Sequence, residues 1–226
     1  QMCIRDSYWW SLWTVAAAAV IVFRVIAPFV RSHRHALRVD TVAPDGAAGI
    51  TVRVSGRDLR ALKARAGQFF VWRFLDGPGW MRGHPFSLSA APGDTYALTA
   101  RLVGDSTTRL ASLRPGTRVL VEGPFGEMTG DRRTGRKLLM VGAGAGVAPL
   151  VSLLEAERYE PGDAALVVRD TADPDALLRE PISSLIRERG VRHFPLTGPR
   201  AGGNSPWLPA TPVSYTHLTL PTNREV

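Results

Sequence analysis

Cysteine is almost absent from the chain: Cys3 is the only one among 226 residues. A disulfide within the chain is therefore excluded, as is an iron–sulfur cluster ligated by its cysteines. Any redox chemistry falls to an organic cofactor, or to a haem held by residues outside this sequence. A clustered basic face is lacking too. The formal charge of +8 reflects 28 Lys and Arg against 20 Asp and Glu. The cations are scattered, however, and the aromatics are not interleaved with them, so the footprint of a nucleic-acid binder is missing. Such an excess suits a protein that holds pyrophosphates and lies against an anionic membrane surface. No metal site, general acid or nucleophile stands out, and neither His193 nor His217 has a partner at ligand spacing.

What is present begins with an uncharged apolar run, Tyr8–Phe23, which Arg24–Val30 extends to the ~20 residues that span a bilayer. Arg24 is expected to snorkel towards the near interface. Trp9, Trp10 and Trp13 crowd one end, as in an interfacial aromatic belt, and Arg31, Arg34 and Arg38 crowd the other. The positive-inside rule then puts everything after residue 30 in the cytoplasm. His33 and His35 read as solvated interface residues. A buried core helix is the alternative; a signal peptide would carry its positive charges before the apolar run.

Between residues 37 and 133 short strands alternate with Gly and Pro. Gly49–Gly56, Gly67–Leu75, Thr95–Val103 and Arg118–Glu122 read as strands of a small antiparallel barrel. In Thr95–Val103 the alternation puts Leu98, Ala100 and Leu102 on one face, with Thr99 and Arg101 facing away. Ser106–Leu113 reads as a helix with a Ser/Thr cap. From residue 136 strands (Lys137–Val141, Ala164–Val168, Val191–Leu196) alternate with helices (Leu150–Glu157, Ile182–Arg189). That order implies a parallel, doubly wound sheet, of which three strands make barely half. The expected class is α+β and multidomain: a membrane helix (8–30), an antiparallel β-barrel (37–133), then a partial parallel-sheet α/β domain (136–212). Residues 1–7 and 213–226 read as translated sequencing adapter and are left out of the fold.

Four segments carry chemistry. In His84-Pro85-Phe86-Ser87, Phe86 can supply the stacking face a flavin needs, Ser87 a hydroxyl partner and His84 a phosphate donor, with Pro85 restraining the backbone. By itself such a segment is more often a plain strand. Gly104-Asp105-Ser106-Thr107-Thr108 opens a helix and suits a pyrophosphate, or is an ordinary N-cap. Glu122-Gly123-Pro124-Phe125-Gly126 reads locally as a loop. Gly142-Ala143-Gly144-Ala145-Gly146-Val147-Ala148-Pro149 joins a strand to a helix and lets phosphates approach the backbone.

In this order the four segments resemble the ferredoxin–NADP reductase superfamily, in its ferric reductase and NADPH oxidase branch, and AGQFFVWRFL, GHPFSLSAAP, GDSTTRL and EGPFG carry a likeness to actinobacterial ferric reductase-like transmembrane oxidoreductases. The resemblance covers about Trp9 to Arg200. It implies a FAD-binding barrel of the ferredoxin-reductase type and electron transfer from NADPH or NADH through FAD to membrane haem. Phe86 and Ser87 would contact the isoalloxazine, His84 the FAD phosphates, and Gly104 and Thr107 the pyrophosphate. Gly142, Gly144, Gly146 and Pro149 would form the nicotinamide-nucleotide turn. The haem-ligating histidines would belong to earlier membrane helices, and the family's Cys-Gly-Pro segment has no counterpart here. Implied partners are NAD(P)H, the lipid bilayer and haem-bearing helices. A soluble flavin reductase and a non-enzymatic flavin-binding module are the alternatives.

A preference for NADPH is expected from Arg169 and from Thr197-Gly198-Pro199-Arg200, since Arg reads a phosphate bidentately. Thr197 is a hydroxyl donor there. Asp170 argues the other way, as a carboxylate that takes ribose hydroxyls and repels a phosphate.

Overall fold

A computed structural model describes residues 2–77, 80–170 and 176–197. Its first element is a helical rod: α1 (Met2–Ile21) passes through a widened turn at Val22–Ile26 into α2 (Ala27–His35). The widening has a local cause. Pro28 has no N–H, and its ring crowds the carbonyl four residues back. Just before it, the Ala27 N–H bonds to the Val22 carbonyl, five residues back, a single π turn. Side chains along the apolar run are bare, with Trp10 at 75% and Phe23 at 72% exposure. Among the described residues, then, nothing buries this run as the core helix of the chain.

Six strands follow: β1 (Arg38–Asp45), β2 (Gly49–Ser55), β3 (Phe69–Phe74), β4 (His84–Ser87), β5 (Thr95–Arg101) and β6 (Val119–Phe125). They form two antiparallel sheets, ordered β1-β2-β5 and β4-β3-β6. Bridges Arg38↔Arg118 and Leu88↔Leu98 join the sheets into a barrel. Trp72, Phe70, Tyr96, Leu98, Val52 and Leu110 fill it, the last from α3 (Asp105–Ala111).

Three readings of the barrel are corrected. β5 is buried on both faces, and Thr99 is only 4% exposed. Its hydroxyl bonds to Ser89 Oγ (2.9 Å) and Thr51 Oγ1 (2.7 Å), which satisfies it away from water. Second, Glu122-Gly123-Pro124-Phe125 is strand, because β6 continues until Phe125 pairs with Phe69. Third, the helix end is not simply solvated. Arg31 donates to the carbonyls of Gly123 (2.6 Å) and Leu62 (3.1 Å), and Val121 N–H donates to Ser32 Oγ (2.9 Å). Arg24 lies 3.4 Å from the Glu122 carboxylate. His35 Nδ1 donates to the Arg57 carbonyl at 2.8 Å, while His33 is exposed as expected.

The second half holds β7 (Leu138–Ala143), α4 (Ala148–Ala156), β8 (Ala164–Asp170), α5 (Arg179–Arg189) and β9 (Arg192–Thr197). The strands are parallel in the order β7-β8-β9. Val151 and Leu154 of α4 and Ile182 and Leu185 of α5 pack on Met140, Leu166 and Val168. On the opposite face Leu139, Val141 and Phe194 are exposed.

The two halves share polar contacts. Ser152 Oγ donates to the Ala90 carbonyl (2.8 Å), the Ala91 N–H to Glu155 Oε2 (2.7 Å), and the Leu178 N–H to Asp45 Oδ1 (2.9 Å). Burial pushes the Glu155 carboxyl above its ordinary value, against the Ala91 hydrogen bond and the charges of Arg53 and Arg189. A raised folded-state pKa stabilises fully below the ordinary pKa, and that stabilisation is lost as pH rises through the raised value. Glu155→Gln keeps an acceptor for Ala91 without a charge to bury. It should therefore raise the melting temperature at pH 7–8, with the gain vanishing near pH 4. Glu155→Ala, which orphans the Ala91 N–H, should cost about 1–3 kcal/mol. Melting curves across pH check both, and a Glu155→Gln protein less stable than wild type at pH 8 would refute the assignment.

Candidate functional site

The site is built on β4, a four-residue strand held in place by its neighbour. Phe69, Phe70, Val71 and Trp72 of β3 pair with Ser87, Phe86, Pro85 and His84. The buried Trp72 indole N–H donates to the Phe86 carbonyl at 3.0 Å. Strand alternation puts His84 and Phe86 on one face, their ring centroids 6.4 Å apart, and Pro85 and Ser87 on the other. Phe86 leans on the barrel core. Among the described residues the Ser87 hydroxyl makes no hydrogen bond.

His84 opens into a small pocket with Phe74, Asp76, Trp80, Arg82, Arg109 and Leu110. Its imidazole is pushed below its ordinary pKa, first by burial and then by the charges of Arg109 and Arg82. Arg109 is fixed by a two-point pair with Asp76, at 2.9 and 2.6 Å. A neutral histidine between two guanidiniums is a place where an anion lowers the energy. This is the fit expected of residues that hold a phosphate. Arg82 and Arg109 were missed from the sequence, because one lies in a loop and the other reads as an ordinary helix charge.

The helix-opening turn at Gly104 is shaped by Thr107. Its hydroxyl donates to the Gly104 carbonyl (2.9 Å) and accepts the N–H groups of Val103 (3.1 Å) and Gly104 (3.2 Å). The Ser/Thr cap read from the sequence is thus supplied from inside the helix, reaching back. Arg109 and Leu110 of α3, and Leu113 just after it, line the His84 pocket; Gly104 and Thr107 do not.

In the second half the glycine turn leaves β7 and enters α4, with Pro149 in the first helical turn. Gly144 has φ +52°, a left-handed backbone that L side chains resist. A Cβ at Gly142 would meet Leu150 at 2.8 Å, whereas one at Gly146 would meet nothing within 4 Å. Gly142 thus lets the helix pack on the strand, and Gly146 leaves open space of the kind a phosphate needs. Thr197 closes β9 opposite Asp170, so the C-terminal edge gathers the turn, Arg169, Asp170 and Thr197. Arg200 lies outside the described residues, as do 198–226 as a whole.

Arg101, read as facing away, bridges the halves. Its Nη2 lies 2.7 Å from Asp170 Oδ1, with the carboxylate 7% exposed, and its guanidinium lies 3.9 Å from where a Gly144 Cβ would stand. Asp170 is therefore turned inward to a cation and is not the free carboxylate that would repel a 2′-phosphate. A charge ending an apolar strand was the only sequence signal. The described residues contain no cluster of His, Cys, Asp and Glu fit for a metal.

No family model matches the chain. NADPH oxidase 1 of Mus musculus is 29% identical over 157 residues, covering 66% of this chain and 25% of that protein. Respiratory burst oxidase homolog protein D of Solanum tuberosum is 34% identical over 93 residues, covering 32% of this chain and 11% of its own. Among solved structures, a ferredoxin NADP+ reductase from Neisseria gonorrhoeae with bound FAD and NADP superposes with a TM-score of 0.60 at 24% identity, over 74% of this chain and 69% of that one. The chain has the ferredoxin–NADP reductase fold, an antiparallel barrel followed by a parallel sheet. It spans a quarter or less of the length of these two curated relatives.

Proposed function

We propose that the chain is part of a membrane-bound flavoprotein oxidoreductase that takes electrons from NADPH, or NADH, through FAD to membrane haem and a terminal acceptor such as ferric iron or oxygen. One observation carries this reading. A single ferredoxin–NADP reductase fold holds both the cation-flanked His84–Phe86 strand and a glycine turn at the C-terminal edge of a parallel sheet. FAD, when bound, supplies a two-electron acceptor that releases electrons singly.

The chain's residues divide the remaining work. Phe86 offers an aromatic face and Ser87 a hydroxyl, while Pro85 stiffens the strand between them. His84, with Arg82 and Arg109, holds phosphate charge, and Thr107 shapes the turn at Gly104. Gly142, Gly144, Gly146 and Pro149 seat the nicotinamide dinucleotide, with Thr197 and Arg200 at its adenosine end. Residues 8–30 form the membrane helix, 37–133 the FAD barrel and 136–212 the nucleotide domain, the last two cytoplasmic. Arg24 reaches down to Glu122, as a charge near the end of an apolar span does. The haem belongs to membrane helices outside this sequence.

The test uses the 226-residue chain in detergent. With FAD it should turn yellow, and NADPH should bleach it without oxygen. A colourless protein, or a yellow one that neither nucleotide bleaches, refutes the reading. Affinity for FAD should also rise as pH falls. A bound phosphate favours the imidazolium and lifts the depressed His84 pKa, so the gain begins below the pKa in the complex and saturates below that of the free protein. His84→Ala should flatten this dependence. A titration of FAD fluorescence against pH that is equally steep in both proteins would remove His84 from the phosphate site.

A further inference from the structure

Where the helical rod meets the barrel lies a cleft that the flavin and nucleotide chemistry does not use. Phe29 of α2, Leu75 after β3 and Leu120 of β6 give it apolar walls, and Arg38, Arg57 and Arg118 give it charge. No carboxylate lines it. Arg38 and Arg118 stand opposite one another as antiparallel bridge partners. Like charges directly opposed across strands destabilise the pair. One nitrogen of Arg38 is held by the Gly116 carbonyl, at 2.9 Å. Among the described residues no acid pairs with Arg38, Arg57 or Arg118.

The position of the cleft narrows its occupant. Val22, Phe23, Ile26, Phe29 and Val30 form an exposed apolar stripe, each between 45% and 72% exposed. Phe29 belongs both to this stripe and to the cleft, and the next turn turns polar at His33 and Arg34. An occupant thus meets apolar surface above and guanidinium groups below.

We propose that this cleft binds the phosphate headgroup of an acidic phospholipid, with its acyl chains along the Val22–Val30 stripe; the proposal rests on the membrane reading of the helix. The anion neutralises the opposed Arg38 and Arg118, and Arg57 closes the site from the β2 side. A free phosphate satisfies the arginines but leaves Phe29, Leu75 and Leu120 facing water. Binding pins the barrel to the foot of its helix, beside the contacts of Arg24 and Arg31 with β6.

The chain, purified in a neutral detergent and stripped of lipid, is offered phosphatidylglycerol or phosphatidylcholine at equal mole fraction, with retained lipid counted by native mass spectrometry. Phosphatidylglycerol should be retained and should raise the melting temperature, and phosphatidylcholine should do neither. Arg57→Gln/Arg118→Gln should lower retention about tenfold or more, given the usual worth of basic residues near anionic lipid. Arg187→Gln/Arg192→Gln, on the nucleotide half, should leave it unchanged. Equal retention of the two lipids by the wild-type chain overturns the proposal whatever the variants do. So does glycerol phosphate matching phosphatidylglycerol at the same concentration, since that marks a site for the ion alone. Recovery of the chain in the aqueous fraction without detergent would sink the membrane reading itself. Lipid indifference in a chain that needs detergent sinks only the cleft.

Discussion

Trp72→Ala should cost the barrel about 3–5 kcal/mol and abolish capture of FAD. Trp72 is fully buried in β3, the central strand of its sheet. Its ring packs edge-on against Phe70 with centroids 5.5 Å apart, an arrangement favourable beyond the area it buries. Domains are stable by only about 5–15 kcal/mol, so such a loss takes a large share of the total. The effect on FAD has a more specific origin. β4 is four residues long and pairs with β3 alone in its sheet. The Trp72 indole N–H is the side-chain bond that holds the Phe86 carbonyl, and with it the strand proposed to hold FAD.

Trp72→Phe separates the two roles. It keeps an aromatic ring in the core and gives up the hydrogen bond, worth about 1 kcal/mol. It should fold, with its urea midpoint lowered modestly, and still bind FAD more weakly than wild type. Urea denaturation and a FAD titration on both variants decide the matter. Unchanged FAD affinity in a folded Trp72→Phe protein would mean that β4 does not depend on this bond.

Much of this architecture was legible in the chain because its local signals agree. Val52 and Val54 alternate inward in β2, and the apolar strand before Gly142 runs directly into a helix opened by Pro149. β1 was not foreseen. It is largely exposed, broken by an irregularity between Val39 and Thr41, and it contains Pro44, so neither burial nor composition marks it. β5 was misjudged because Thr99 and Arg101 look like solvent-facing residues. One is satisfied by Ser89 and Thr51 and the other by Asp170, partners 10, 48 and 69 positions away. The glycine and proline of Glu122–Phe125 suggested a loop. There the pairing with Phe69 and the grip of Arg31 on the Gly123 carbonyl override local preference. The motif residues could be named from the family resemblance that their order carries, but the cations around His84 could not. Arg82 and Arg109 converge only once α3 folds back over the end of β3.

Arg101→Ala should be the most damaging change at the junction of the two halves. It deprives a carboxylate that is 7% exposed of a guanidinium 2.7 Å away. Removing one member of a buried pair typically costs about 3–5 kcal/mol, because the remaining charge stays desolvated. Asp170→Asn should cost less, since the amide oxygen still accepts from Arg101. In Arg101→Ala/Asp170→Leu no charge is left buried, and a double-mutant cycle should recover much of the loss. A catalytic consequence follows from the same geometry. Arg101 sits beside the Gly144 turn, so its removal also takes a cation from beside the turn proposed to seat the dinucleotide. Both nicotinamide cofactors carry a pyrophosphate. In Arg101→Ala/Asp170→Leu, where no carboxylate is freed to repel a 2′-phosphate, NADPH and NADH should therefore weaken alike, by about tenfold or more for a lost charge-assisted bond of about 1.5–3 kcal/mol. Arg200→Ala should instead act on NADPH alone, if it reads the 2′-phosphate, and Asp170, occupied by Arg101, no longer argues for NADH. Steady-state flavin reduction with each nucleotide, in wild type and these variants, separates these roles. A selective loss of NADPH that persists in Arg101→Ala/Asp170→Leu would move the 2′-phosphate to Arg101. An Arg101→Ala protein as stable as wild type would show that the buried pair does not hold the two halves together.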